Sequence, residues 1–461
     1  MQEQLITPEL LERYDIPGPR YTSYPTADRF TDAFSEKDYL HALAQRHAGA
    51  SAVMPLSIYV HIPFCESLCY YCGCNKIITK HHERAKPYLE ALSKEMALIT
   101  HQLQNRQRLS QLHFGGGSPT FLSDDELAAL MAELKERFEF IDGAECSIEI
   151  DPRTVTKERL QNLWNIGFNR LSFGIQDFDP CVQKAIHREQ GTQEVFDLVK
   201  AAREIGFEAI SVDLIYGLPH QTLETFTQTL GTVADLRPDR IAVYGYAHLP
   251  HRFKPQRMIH SEDLPDGGTR LLLLSSSIEQ LQKSGYEYIG MDHFALPEDS
   301  LSIAKKQGNM HRNFQGYSTH ADCDLIGLGV SSISKVGNIY SQNAKELDAY
   351  IEQVNAGHLP VIRGVVLDRD DLLRRTVISS IMCQGEVVYE SIELSYLIDF
   401  KEYFSYEMKQ LDKFVDQKFL EFDDNSLRVT PLGWYFVRAL AMTFDKYLRQ
   451  ARTETKFSRI I

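Results

Sequence analysis

The chain shows no apolar leader: it opens Met1-Gln-Glu-Gln-Leu-Ile-Thr. An oxidising, disulfide-forming compartment is therefore not expected, and a cytoplasmic setting is. No apolar run reaches membrane-spanning length; Leu271-Leu-Leu-Leu274 is among the longest and polar residues flank it. Basic charge is scarce. Lys and Arg total 49 against 63 Asp and Glu, a net charge of −14, whereas a non-specific nucleic-acid binder carries a basic excess or patch. Neither a nucleic acid nor a membrane is an expected partner. An anionic substrate would need the few cations gathered at one cleft. Internal repeats, low-complexity segments and heptads are lacking too, so a monomer is expected. Cysteine is sparse, at eight in 461 residues. Cys146, Cys181, Cys323 and Cys383 are scattered and read as small apolar residues.

The other four fall within ten residues: Cys65, Cys69, Cys72 and Cys74. The first three are spaced C-x3-C-x2-C. Disulfide pairing fits poorly without a secretory leader. Structural zinc fits poorly because no second cysteine pair follows at a distance. Three thiolates on one loop suit three irons of a [4Fe-4S] cube. The fourth iron is then open to a small molecule, as a catalytic zinc keeps an open position. That asymmetry points to chemistry at the cluster.

From about Ser57 to about Ile339, short apolar runs alternate with amphipathic stretches. The runs are Ser57–His61, Gln111–Phe114, Glu145–Ile150, Arg170–Gly174, Ala209–Ile215 and Arg240–Tyr244. Between them lie helical patterns, such as Leu127 to Phe138, opened by a Ser123/Glu126 capping box. Such alternation predicts a parallel sheet with helices outside. The segment 1–55 stands apart, with an extended or turn-like Gly18–Pro25. The catalytic domain is expected over 56–358. Beyond it, 359–461 reads as a smaller, mainly helical domain, with helices over Asp368–Met382 and Pro431–Leu448 and a hairpin between Leu420 and Val429.

Chemistry-bearing residues cluster near the strand ends. Gly115-Gly-Gly-Ser118 follows the second strand and allows close approach of a ligand or another backbone. Glu149 lies in an apolar strand and needs a partner if buried; a solvent-facing edge position is the alternative. Gln176 ends the fourth strand. Asp213 interrupts an apolar strand, either as a functional carboxylate or as one bonded to nearby backbone. Arg188 is a surface arginine or the paired-hydrogen-bond partner of a carboxylate. His61 ends the first strand as a proton donor or a packing histidine.

The cysteine spacing, with an aromatic Tyr71 before the last cysteine, resembles the radical S-adenosylmethionine (SAM) enzymes. The resemblance implies an α/β fold, an open partial (β/α)6 barrel, with ligands at the carboxyl ends of the strands. It also implies that SAM binds the open iron and is split to a 5′-deoxyadenosyl radical. Longer strings narrow it further. Gly18-Pro-Arg-Tyr-Thr-Ser-Tyr-Pro25, Cys72-Gly-Cys-Asn-Lys76, Asp213-Leu-Ile-Tyr-Gly-Leu-Pro219, Tyr246-Ala-His-Leu-Pro250, Gly290-Met-Asp-His-Phe294, His311-Arg-Asn-Phe-Gln-Gly-Tyr317 and Phe457-Ser-Arg-Ile-Ile461 resemble the oxygen-independent coproporphyrinogen III oxidases (dehydrogenases).

That family acts in haem (porphyrin) biosynthesis. It converts two propionates of coproporphyrinogen III to vinyl groups, giving protoporphyrinogen IX. The resemblance implies one [4Fe-4S] cluster, two SAM molecules, an external low-potential electron donor and an electron acceptor. Cys65, Cys69 and Cys72 match the cluster ligands. Tyr59, Gly116, Glu149 and Ile333 match the site of the cluster-bound SAM. Tyr71, Gly117, Ser118, Gln176, Arg188, Asp213 and Ala247 match a second SAM site. Cys74, a fourth cysteine outside the ligand set, and His61 are catalytic candidates. The family often has phenylalanine at position 71 and threonine at 118. Arg20, Lys76, Arg252 and Arg312 are candidate partners for propionates, and Tyr21, Tyr24 and Phe314 candidate covers for the macrocycle. A haem-binding chaperone of the same family is the alternative function; it usually lacks the fourth cysteine, the Gly18–Pro25 segment and Arg188. A plain iron-sulfur carrier would use Cys74 as fourth ligand.

Overall fold

The alternation of apolar and polar residues along each strand decides the fold, because it gives the sheet two unlike faces. The structure, a computed structural model, describes residues 8–48, 54–320, 323–450 and 457. The opening residues and most of the terminal Phe457–Ile461 string lie outside them. Six strands run parallel and in chain order: β1 (Leu56–Ile62), β2 (Arg108–Gly116), β3 (Glu139–Ile150), β4 (Arg170–Gln176), β5 (Ala209–Tyr216) and β6 (Arg240–Gly245). Each contains one expected apolar run. One face carries Ile58, Val60, Phe114, Ile148, Phe173, Val212 and Val243, all buried. It packs under the helices α1 (Ala85–Leu103), α2 (Asp124–Arg137), α3 (Lys157–Ile166), α4 (Thr192–Ile205) and α5 (Leu223–Leu236). The other face carries Tyr59, His61, His113, Ser147, Glu149, Ser172, Asp213 and Tyr244, a polar interior.

Local signals act as expected. Ser123 and Glu126 form a reciprocal capping box on α2, and α3 and α4 stop at Gly167 and Gly206 in the left-handed conformation. The sheet is open and larger than the six units. Leu325–Leu328 adds parallel to β1, followed by Ile333–Val336, Ile339–Asn343 and Val361–Val366; His293–Ala295 and Glu287–Gly290 extend the other edge. The whole is a twelve-stranded sheet. Val361–Val366, beyond the expected boundary at 358, also pairs within it.

The C-terminal region is mainly helical, led by Arg369–Gln384, and holds a small sheet of Glu386–Val388, Leu420–Phe422 and Ser426–Val429. The expected helix over Pro431–Leu448 is broken instead into Gly433–Phe436, Val437–Met442 and Lys446–Gln450. Asp445 is the reason: its carboxylate accepts the N–H groups of Tyr447 and Leu448 and so starts a new helix. The N-terminal segment is partly a cover and partly framework. Its helix Glu36–Ala48 docks on the sheet through Arg46–Asp324, 2.9 Å, and Tyr39–Ser334, 3.1 Å. Gly18 and Pro19 give their carbonyls to Arg438. Tyr21 and Tyr24 are buried and tied to Asp445 and Lys446. These contacts anchor the segment. Among the described residues no helix is long and apolar enough to cross a membrane.

Candidate active site

The first strand ends at Ile62, and the chain then loops back on itself. Phe64–Cys65 pairs with Ile77–Ile78, while Ile77 N–H donates to Pro63 (2.7 Å) and Thr79 N–H to Cys65 (2.9 Å). The loop carrying all four cysteines is thus closed at its base. It is also docked from the side. Tyr70 N–H reaches the Ile186 carbonyl at 3.0 Å, and Tyr70 stacks on His187 with centroids 5.1 Å apart. That contact brings the next residue, Arg188, to the cysteines.

His61 braces the same loop from below. Its Nε2 meets the Asn75 carbonyl at 3.0 Å and its Nδ1 meets the Tyr59 hydroxyl at 3.1 Å. Burial holds the ring's pKa down, so a neutral imidazole donates to Asn75 and accepts from Tyr59. Both nitrogens are committed within the protein. Gly116 lies directly against this ring: a Cβ there would come within 2.5 Å of it, and its φ is +113°. Only glycine serves both demands.

The glycine run is stitched to the cysteine loop. Gly117 N–H donates to Ile62 and Ser118 N–H to Phe64, each at 2.8 Å, and Gly116 N–H to Glu149 at 3.2 Å. With these donors spent, the N–H groups of Gly116, Gly117 and Ser118 are not open to an anionic ligand. Glu149 also accepts from His113 at 3.1 Å. Burial alone would raise its pKa, but His113 and the Gly116 N–H hold it below the usual carboxylate range. Glu149 therefore has a partner in His113 while its own side chain stays 42% exposed.

A cavity of about 600 Å³ opens at the carboxyl ends of the strands. Cys65, Cys69, Cys72 and Cys74 line it, as do Tyr71, Gly116, Gly117, Ser118, Glu149, Gln176, Arg188 and Asp213. With Lys76, thirteen of the residues marked from sequence thus meet in one place. Tyr59 and His61 lie behind its wall. Ala247, in the loop after β6, and Ile333, which packs with Phe30 and Tyr340, are outside the lining.

Among the described residues, no three His, Cys, Asp or Glu side chains converge as one metal ion would need. A cube asks for something else: three sulfurs, each on its own iron. Cys65, Cys69 and Cys72 meet that demand from one loop. Burial, then Cys72 and Cys69, push the Cys65 thiol up to about 12, a crowding of sulfurs that iron would relieve. The Cys72 thiol is held down at about 5, by Cys74 first and also by Lys76.

Arg188 is buried, and most of its guanidinium is engaged. It donates to the Gly174 carbonyl at 3.1 Å, to Asp151 at 3.2 Å and to the Cys69 sulfur at 3.4 Å. Asp151 also holds Arg153 (2.7 Å), which reaches Cys69 at 3.6 Å. Two guanidiniums thus face a sulfur that must become a thiolate. The sequence reading passed over Asp151 and Arg153; an Asp-Pro-Arg turn directly after a strand end was the available signal. Gln176 sits at φ +70°, a costly conformation for a residue with a side chain and one that gathers at functional sites. Asp213 is pushed up to about 7, by burial first and the nearby Glu149 second, against a 3.4 Å hydrogen bond from Ser172.

Residues 59–233 match the family model described as Radical SAM superfamily, and 367–436 match the HemN C-terminal domain. The chain is 46% identical to the oxygen-independent coproporphyrinogen III oxidase of Pseudomonas aeruginosa, over 98% of both chains. It is likewise 46% identical to that of Escherichia coli over 98% of both. A solved structure described as coproporphyrinogen III oxidase (HemN) from Escherichia coli, a radical SAM enzyme, superposes with a TM-score of 0.91. That pair is 44% identical, covering 96% of this chain and all of the other.

Proposed function

Because this chain belongs to the family of oxygen-independent coproporphyrinogen III oxidases, radical SAM enzymes, we propose how its residues serve that reaction. The chain is an oxidoreductase of haem biosynthesis, and its substrate is coproporphyrinogen III. Two propionates become vinyl groups as carbon dioxide leaves, giving protoporphyrinogen IX. When bound, a [4Fe-4S] cluster with SAM supplies the 5′-deoxyadenosyl radical that removes a hydrogen atom from a propionate β-carbon.

Cys65, Cys69 and Cys72 hold the cluster. Gly116 and Glu149 receive the amino group of the first SAM, flanked by Tyr59 and Ile333. A second SAM lies against Tyr71, Gly117, Ser118, Gln176, Arg188, Asp213 and Ala247. Support for this part is that Glu149, the glycine run, Arg188 and Asp213 all line one cavity. Arg188 orients a carboxylate there and offsets thiolate charge at Cys69. Cys74 and His61 remain the catalytic candidates, Cys74 through the S–H it holds at the cavity, His61 through the loop it braces. Placement of reacting groups to within about an ångström governs such chemistry, and the closed, side-docked cysteine loop suits that need. The enzyme works as a cytoplasmic monomer with an external electron donor and acceptor.

One observation carries the reading: the three spaced cysteines and the strand-end Gly116, Glu149, Gln176, Arg188 and Asp213 share a single cavity. The test is anaerobic reconstitution with iron and sulfide, then incubation with SAM, reductant and coproporphyrinogen III. Carbon dioxide, vinyl product and 5′-deoxyadenosine are expected together, with two deoxyadenosines per product. Bound porphyrin without carbon dioxide would instead mark a haem-binding relative.

A further inference from the structure

A second pocket, of about 220 Å³, lies away from the cysteines. It shares no lining residue with the first cavity. Four separate parts of the chain build it: Tyr21–Tyr24 of the N-terminal segment, Arg312 of the hairpin His311–Asn313/Gly316–Ser318, Lys335 of the strand Ile333–Val336, and Arg375 of the helix Arg369–Gln384. Three cations line it and, among the described residues, no aspartate or glutamate does. In a chain of net charge −14 that concentration is selective. The Nη1 groups of Arg312 and Arg375 are buried and meet no acceptor among the described residues. Buried N–H groups of this kind call for a partner. Lys335 is buried too; burial and the charge of Arg375 press its pKa well down.

The other expected cations are committed elsewhere. Arg20 pairs with Asp292. Lys76 serves the Cys72 carbonyl at 3.1 Å. Arg252 is exposed over the Phe253 ring. The pocket is too small for a tetrapyrrole, whose size needs several hundred Å³, and large enough for one side arm. It is also linked to the first cavity. Arg312 donates to the Arg20 carbonyl at 3.3 Å, and the Arg20 guanidinium lies 5.4 Å from the centroid of the Tyr244 ring, which lines that cavity. Lys335 shares a strand face with Ile333, two residues away.

We propose that this pocket, through Arg312 and Arg375, seats the carboxylate of a propionate that the reaction leaves intact, and so orients the macrocycle. The proposal rests on the coproporphyrinogen reading above. An arm held here is remote from the cysteine cavity, which is why it is a retained arm. Paired hydrogen bonds from guanidinium to carboxylate supply both affinity and direction.

The test uses Arg375→Gln, Arg375→Lys and the unaltered holoprotein. Fluorescence titration reads affinity for coproporphyrin III, its tetramethyl ester and mesoporphyrin IX, which retains two propionates. Turnover reads KM for coproporphyrinogen III. Arg375→Gln is expected to weaken coproporphyrin III and mesoporphyrin IX alike, roughly ten-fold or more, and to raise KM in parallel. Arg375→Lys should recover most of both, and the ester should bind the unaltered protein and Arg375→Gln equally. Unchanged affinity and KM in Arg375→Gln would overturn the proposal, as would a loss confined to coproporphyrin III. A rise in melting temperature with inorganic phosphate, without any porphyrin effect, would reassign the pocket to a free anion. Failure of the unaltered protein to release carbon dioxide would sink the functional reading alone, since porphyrin binding still tests the pocket.

Discussion

In the cysteine-lined cavity, cations and carboxylates answer one another. Arg153 and Arg188 both donate to Asp151, and His113 donates to Glu149. In the second pocket Arg312, Lys335 and Arg375 line a space that no aspartate or glutamate lines among the described residues. The difference teaches what each expects to receive. A site that balances its own charge suits a ligand that brings both signs, as SAM does with its ammonium, sulfonium and carboxylate. A site whose guanidinium N–H groups meet no acceptor among the described residues suits an anion that takes them. The first is also rigid before any ligand arrives, because each buried ion is already held.

The largest effect should come from Cys69→Ser. Cys69 is both a proposed iron ligand and the acceptor that faces Arg153 and Arg188. Iron content after reconstitution should fall, and vinyl production should drop on the order of a thousand-fold or more. Cys74→Ser should keep the iron, since its S–H serves Cys72. Loss of the cluster in Cys74→Ser would recast the loop as an electron carrier with four protein ligands.

Next in size is Arg188→Gln. Removing one guanidinium leaves Asp151 buried with Arg153 alone, and breaking a buried pair costs about 3–5 kcal/mol. Urea unfolding should show it, whereas Arg375→Gln should not be destabilised. Equal losses in the two variants would erase the contrast between the cavities.

Asp213→Asn separates the two by pH. In an unfolded chain an aspartate titrates near ~3.9; here Asp213 is held up to about 7 by burial and by Glu149. The raised value means the folded state keeps this proton longer. Its contribution to stability is complete below about pH 4 and is lost as pH rises through about 7. Asparagine stays neutral throughout. The variant should therefore match the parent near pH 4 and exceed it at pH 8 by about 1–3 kcal/mol, the cavity's solvent screening part of the full shift. A difference that does not change with pH would show that Asp213 is ionised across the range.

Much of this was legible in the chain. Strands announce themselves by alternation, so all six parallel strands lie where the apolar runs fall. The cysteine spacing, the glycines and the lone charges in apolar strands mark the first cavity because each violates a local rule. The break in the last helix was not legible, since Asp445 acts as a cap only where Tyr21 and the helix Lys446–Gln450 meet it. Asp151 and Arg153 were missed for the same reason: their meaning lies in what Arg188 brings across from another loop. The second pocket is the extreme case. Lys335 and Arg375 are ordinary residues in a strand and a helix, and only tertiary packing sets them together.

The smallest expected effect tests that packing directly. Like charges gathered in one pocket raise the energy of the fold, and salt screens them least where they are buried. Arg375→Gln removes one such charge from beside Lys335, whose pKa its presence depresses. The variant should unfold at a slightly higher temperature than the parent in dilute buffer, by about 0.5–1 kcal/mol in stability. The cost of a lost hydrogen bond does not oppose this, because Nη1 of Arg375 meets no acceptor among the described residues. Coproporphyrin III should reverse the order, stabilising the parent more than the variant, since only the parent has the full set of cations to neutralise. If the variant is instead less stable in the absence of porphyrin, Arg375 is structural, and the two cavities are balanced in the same way after all.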